Sequence, residues 1–424
     1  NLGLLAFLKY FNFFSRSISS FLSIFNFNQE AIVLNLILPL GISFYTFQTI
    51  GYIIDVYRGK YKPEKNLAKF ALFVSFFPHI IQGPIARYDQ LSEELFKDHT
   101  FQWKEFTYGL QLTLFGAFKK LVIADRLNML VSEVYGHYGK YSGFAVFVAT
   151  ALFSIQIYAD FSGCMDIARG VAKSLGIEIA KNFDRPYFSK TMPEFWRRWH
   201  ISLGAWFKDY VFYPISVSKF SQNINKKSRK VFGGEVGRII AGSIPIYTVW
   251  LLTGIWHGPE WKYVAWGAFH GTLILLSLIF TPINSRITNR LKINVNCLAW
   301  RIWQMIRVFL LCCVGRVFFR AGSVSQAFHL LKKIFTDFTV ISDIKSLSFL
   351  NWGLGEKNLI VAAISILILW MVSVLQCKFG IRDMIAKQFL VVRWLIFYVA
   401  IFIVLIFGIY GPDFSASAFI YNQF

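Results

Sequence analysis

Stretches of about 20 residues with no charged side chain recur along this chain, and that feature leaves few folds open. They lie at 31–54, 141–159, 239–256, 263–285, 358–377 and 394–412. Each is long enough to cross a bilayer as a helix whose backbone groups are bonded internally. Three further stretches read as weaker spans: 2–14, cut short, 106–124, interrupted by Lys119 and Lys120, and 302–319, with Arg307 and Arg316. The run 70–86 is uncharged but carries Pro78, Gly83 and Pro84, which suits a re-entrant or interfacial segment.

Composition agrees. Only 16% of the 424 residues are charged and 55% are hydrophobic, too little polar surface for a water-soluble domain and too much apolar surface for a disordered one. The expected fold is an all-α polytopic membrane protein forming one domain over 1–424. Loops 55–105, 160–238, 286–301 and 378–393 hold several times more Lys and Arg than the others, which places them on the cytoplasmic side. The net charge of +21 therefore reads as orientation and contact with anionic lipid or an acidic partner, not nucleic acid. The cysteines, Cys164, Cys297, Cys312, Cys313 and Cys377, show no CxxC spacing and read as small apolar residues. The chain begins at Asn1, so an amino-terminal truncation and missing spans are expected.

Two segments are too polar for their surroundings. In 160–238, an interfacial cytoplasmic segment, Thr191 and Pro193 predict a helix over about 192–212 with Trp196, His200 and Phe207 on one face, Trp199 and Trp206 beside it, and Arg197 and Arg198 on the remainder. That helix either lies flat in the interface or floors a cavity. The second segment, GIWHGPEWKYVAWGAFHG from Gly254, places His257 at the end of one span and His270 inside the next. A histidine at membrane depth is a functional candidate, and it is the side chain able to take a proton from a hydroxyl near neutral pH. Small residues flanking His257 predict an accessible ring; His270 reads first as a structural residue hydrogen-bonded to a neighbouring helix, and second as a functional one. Asp160, in YADFSG, either orients a histidine or an arginine or makes an ordinary cap or ion pair. No metal-ligand spacing, GxSxG, Walker loop or dinucleotide fingerprint is present.

At FWRRWHISLGAWFKDYVFYP, GIWHGPEWKYVAWGAFHG, SFYTFQTIGYIIDVYRG, FVSFFPHIIQGPIARY, NFDRPYFSKTMPEFW and GRVFFRAGSVSQAF the sequence resembles the membrane-bound O-acyltransferase family, most closely its bacterial alginate O-acetylase branch. The resemblance implies a ring of about 9–11 transmembrane helices around a central tunnel. It implies His257 as the catalytic general base and His200 as the second catalytic histidine; beside them, Trp196 and Trp199 are expected to wall the tunnel, Arg197 and Arg198 to anchor in the interface or steer an anionic donor, and Asp160, Trp256 and His270 are further candidates for the substrate path. The implied donor is a cytoplasmic acyl thioester, acetyl-coenzyme A, with no bound cofactor or metal. The implied acceptor is an extracellular or cell-wall polysaccharide, reached with an extracytoplasmic SGNH-type acetyltransferase partner at the bacterial cytoplasmic membrane. D-alanyl transfer to teichoic acid from a carrier protein, and a non-enzymatic transporter or scaffold, are the alternatives.

Overall fold

A computed structural model describes residues 2–410 except Asn28, Ile37, Leu40, Ile81 and Gln82. The fold is all-helical. Among the described residues six helices are long and apolar enough to cross a membrane: Gly143–Ser174, Gly234–His257, Trp261–Arg290, Leu298–Arg320, Glu356–Leu375 and Leu390–Phe407. Five answer to uninterrupted runs in the sequence. The sixth, Leu298–Arg320, keeps both its arginines by giving each a partner: Arg307 donates to the Lys190 carbonyl at 3.1 Å, and the Arg316 guanidinium lies 4.4 Å from the centre of the Trp199 ring.

Elsewhere the helices depart from the apolar runs for local reasons. The expected span 31–54 is helical only as Ile42–Tyr57. Described residues 29–36, 38 and 39 are not helical, while Ile37 and Leu40 lie outside the described residues. Gly41 starts the helix in a left-handed conformation (φ 74), and a Cβ there would stand 2.1 Å from the Ile80 carbonyl oxygen. The segment 70–86 holds short helices, Leu67–Ser75 and Phe77–Ile80, broken at Phe76, with Pro78 in the first turn of the second, where its missing N–H costs no helix bond; Ile81 and Gln82 lie outside the described residues, as do the last two residues of the 394–412 run. By contrast, helix continues over 2–23 and over 103–136, in each case through a π-helical turn, Ala6–Tyr10 and Phe118–Ala124. Those turns carry Lys9 and the Lys119–Lys120 pair, the charges that interrupt the apolar pattern.

Contacts group the described residues into two units, one from 2–97 and 202–283, the other from 98–201 and 284–410. In the second, the Trp103–Ala117 helix packs antiparallel on Gly143–Ser174 through reciprocal glycines. A Cβ on Gly109 would meet the Gly170 carbonyl oxygen at 2.5 Å, and one on Gly116 would meet that of Gly163 at 2.6 Å. Lipid offers apolar side chains no hydrophobic drive to associate, so close backbone approach supplies the packing. Gly116→Ala is expected to lower stability by about 1–3 kcal/mol, read as the thermal unfolding midpoint in detergent, because the new methyl meets backbone.

The same helix pair buries charge. Lys119 Nζ lies 2.7 Å from Asp166 and 2.9 Å from the Ser162 hydroxyl; Lys120 Nζ lies 2.8 Å from Asp125 and 2.7 Å from Asp160. This pairing lets Gly143–Ser174 run on well past the uncharged stretch that ends at 159.

Candidate active site

In the first unit, Gly234–His257 and Trp261–Arg290 are joined by only Gly258, Pro259 and Glu260. They cross at another glycine pair. A Cβ on Gly254 would sit 2.3 Å from the Tyr263 carbonyl oxygen, and one on Gly267 2.3 Å from that of Trp250. His257, the last helical residue, is thereby pressed onto the neighbouring helix. Its ring meets Trp256 edge-on at 5.1 Å and Trp266 at 5.0 Å; Trp266 also meets His270 at 4.8 Å. The small residues therefore set the helix crossing and do not open the ring, which belongs to a side chain only 6% exposed.

The cluster extends through Trp256, whose indole packs on Phe44 and Phe47, and through His270, which also contacts Trp250 and Phe269. Lys9, from the first helical stretch, donates to the Trp256 carbonyl at 2.8 Å and approaches the Ser43 hydroxyl at 3.4 Å. A buried ammonium beside the residue preceding His257 was missed in the sequence. The signal was a lysine inside an apolar run at membrane depth.

The second unit holds His200, and here the expected continuous helix over 192–212 is overturned. Thr191 caps Met192–Arg198 as expected, accepting from the Glu194 amide at 3.2 Å, but the helix stops at Arg198. His200 has φ 49, a left-handed conformation that non-glycine residues rarely hold, and helix resumes only at Ile201. A non-local pairing fixes the break. Asp184 donates its amide to the Arg198 carbonyl at 2.9 Å, and Ile201 donates to the Asn182 carbonyl at 3.0 Å, around the Phe183–Trp199 bridge. Trp196, His200 and Phe207 consequently do not share one helical face.

The break buries His200 to 3% exposure, its ring against Phe161 at 4.8 Å and its Nδ1 3.4 Å from Asn182 Oδ1. Since the Asn182 amide nitrogen is directed at Met165 Sδ, at 3.4 Å, the histidine donates from Nδ1 and keeps its lone pair on Nε2. Burial pushes its pKa down to about 3. The unfolded chain then binds a proton below about pH 6.5 that the folded chain refuses, so stability falls as pH drops from 6.5 toward 3. His200→Gln is expected to flatten that acid limb, measured as unfolding midpoint against pH.

The remaining candidates separate. Trp199 is buried, stacked on Phe195 at 5.6 Å beneath Arg316, and Trp196 is half-buried against Phe195. Arg198 pairs with Glu194 at 2.8 Å, whereas Arg197 is exposed. Asp160 serves Lys120, the ion-pair alternative for that carboxylate.

The sequence profile described as MBOAT, membrane-bound O-acyltransferase family, matches residues 64–233. That span contains His200 and ends before His257. The chain is 32% identical over 388 residues to a probable alginate O-acetylase of Azotobacter vinelandii, covering 91% of this chain and 69% of that relative. The chain belongs to the membrane-bound O-acyltransferase family. Membership and the helices make it a multi-pass membrane protein of the O-acyltransferase class. It is also 29% identical to a peptidoglycan O-acetyltransferase of Helicobacter pylori, over 78% of this chain and 62% of that one. A teichoic acid D-alanyltransferase of Bacillus subtilis is 30% identical over 59% of this chain and 62% of its own length.

Proposed function

We propose that this acyltransferase moves an acetyl group from a cytoplasmic thioester, acetyl-coenzyme A, to a hydroxyl of an extracellular or cell-wall polysaccharide or of a partner that delivers it there. The observation that carries the reading is His257 at the end of a membrane-length helix, held between Trp256 and Trp266 in a chain of this family. In the reaction His257 takes the proton from the acceptor hydroxyl as its oxygen attacks the thioester carbonyl. The tetrahedral intermediate collapses by breaking the C–S bond, and the departing thiolate takes a proton, leaving an oxygen ester and a free thiol. The thioester supplies the activation, so neither nucleotide hydrolysis nor metal is invoked.

His200, neutral and fixed by Asn182, has the role of orienting a substrate group through Nε2. Exposed Arg197 suits attraction of an anionic donor or of lipid headgroups; Arg198, neutralised by Glu194, is less suited. An extracytoplasmic SGNH-type acetyltransferase belongs to the proposal as the partner completing delivery.

Acetyl is preferred to D-alanyl because likeness to the alginate relative extends over 91% of this chain, against 59% for the D-alanyltransferase. The test supplies membranes with radiolabelled acetyl-coenzyme A or with a D-alanyl carrier protein. Ester label from acetyl-coenzyme A alone supports the proposal; label from the carrier alone replaces it with D-alanyl transfer. Movement of the donor with no covalent transfer would make the protein a transporter.

A further inference from the structure

A cavity of about 880 Å³ lies in the second unit, lined by the Trp103–Ala117, Gly143–Ser174, Glu356–Leu375 and Leu390–Phe407 helices, and neither His200 nor His257 lines it. Its volume falls within the range of small-molecule sites. Ile368, Leu369 and Val372 form part of its wall from one helix, and Leu395, Val399 and Ile403 from another. From Leu395 to Ile403 the wall runs for about 12 Å of helix. This part of the lining is apolar and mostly aliphatic, with Phe397 among it. The turn after Leu375 and the segment 181–185 supply a different chemistry.

Five basic side chains line the cavity against two acidic ones. Part of that charge is matched: Asp166 holds Lys119 at 2.7 Å and Arg169 at 3.8 Å, and Asp184 holds Lys181 at 2.8 Å and Arg185 at 3.0 Å. Asp383 accepts instead from the Tyr108 hydroxyl at 2.8 Å. The neighbouring Arg382 donates to a neutral group, the Tyr108 carbonyl at 3.3 Å, and Arg185 also reaches the Gln376 carbonyl at 2.9 Å. The polar part of the lining thus keeps a cationic surplus carried by guanidinium groups, which suit phosphate oxygens better than carbonyls. Gln111 adds a buried side-chain oxygen to the wall with no hydrogen-bond partner among the described residues.

An aliphatic trough ending in guanidinium groups selects an anionic amphiphile. We infer that this cavity is a binding site for an anionic phospholipid, its acyl chain along the Ile368–Val372 and Leu395–Ile403 walls and its phosphate against Arg185 and Arg382. A zwitterionic lipid fits the trough but meets the cationic surplus with its own positive group. A free phosphate fits the guanidinium groups but leaves the trough unused. The site extends the protein beyond acyl transfer to recognition of the lipid around it.

The experiment uses the full-length protein in detergent. Native mass spectrometry and thermal unfolding are followed with added phosphatidylglycerol, phosphatidylcholine, inorganic phosphate or acetyl-coenzyme A. One phosphatidylglycerol is expected to bind and raise the unfolding midpoint, at least tenfold more tightly than phosphatidylcholine. Arg382→Ala is expected to weaken that binding about tenfold, and Val372→Trp to block it by filling the trough while leaving the charges intact. Equal binding of the two lipids, unchanged phosphatidylglycerol binding in both variants, or the same stabilisation from inorganic phosphate overturns the inference. Displacement of the lipid by acetyl-coenzyme A at micromolar concentration also overturns it, by making this a site for the donor.

Discussion

Replacing His257 with alanine abolishes acyl transfer without removing the protein from the membrane: the expected loss of ester-linked acetyl is at least about 10²-fold, and up to about 10⁴-fold, the range for a positioned general base. The measurement is acetyl ester per molecule of inserted protein, wild type against variant. Alanine leaves space where the ring stood between Trp256 and Trp266, so His257→Gln is the companion substitution, since it keeps a polar side chain of similar reach while removing the basic nitrogen. Both variants are expected to lose activity alike. An active glutamine variant would assign His257 to packing or hydrogen bonding. Because Gly254 and Gly267 hold the helix crossing that positions the ring, insertion and unfolding midpoint are expected to change far less than the rate.

The largest stability effect is expected at Lys120. Its ammonium lies 2.7 Å from Asp160 and 2.8 Å from Asp125, and all three side chains are at least nine-tenths buried. Lys120→Met removes the cation between two carboxylates, and breaking a buried pair in this way typically costs about 3–5 kcal/mol. The readout is the unfolding midpoint in detergent. Adding Asp160→Asn to Lys120→Met is expected to recover part of the loss, since it removes one stranded charge; the double-mutant cycle isolates the coupling. A change below about 1 kcal/mol in Lys120→Met would mean the carboxylates are adequately held by other groups. Lys119 offers the comparison: among the described residues Asp166 is its single carboxylate partner and the Ser162 hydroxyl a neutral one, so Lys119→Met is expected to cost less.

These two residues also show what the sequence could and could not reveal. Uninterrupted apolar runs were legible because a spanning helix must satisfy its backbone internally and be apolar over a fixed length. Lysines and arginines weakened the reading at 106–124 and 302–319, because most of their partners are distant in sequence: Asp160 and Asp166 for the lysines, with only Asp125 close by, and the Trp199 ring for Arg316. Local periodicity cannot announce such pairs. The break at His200 was hidden for the same reason. Cap and composition favour helix through 192–212, and the bridge from Phe183, sixteen residues before Trp199, overrides them. Conversely, the shortened helix at 42 had a local sign in Pro39 and Gly41, outweighed by the apolar content of 31–54.

His257 was legible as an ionisable residue at membrane depth, and the structure adds its enclosure by Trp256, Trp266 and the Lys9 contact to the preceding carbonyl. Asn182 was not legible, and Lys9 showed only as a charge inside an apolar run, since each meets its partner far along the chain only after folding.

Purified protein reconstituted in liposomes with radiolabelled acetyl-coenzyme A outside, and polysaccharide with its delivery partner inside, tests the central claim most directly. The measurement is free thiol and ester label from the same sample. Wild-type protein oriented with its cytoplasmic loops outward is expected to release one thiol per ester formed, and His257→Gln to yield neither. Ester formation at the wild-type rate in His257→Gln, with equal insertion, would contradict the assignment of His257 as the base.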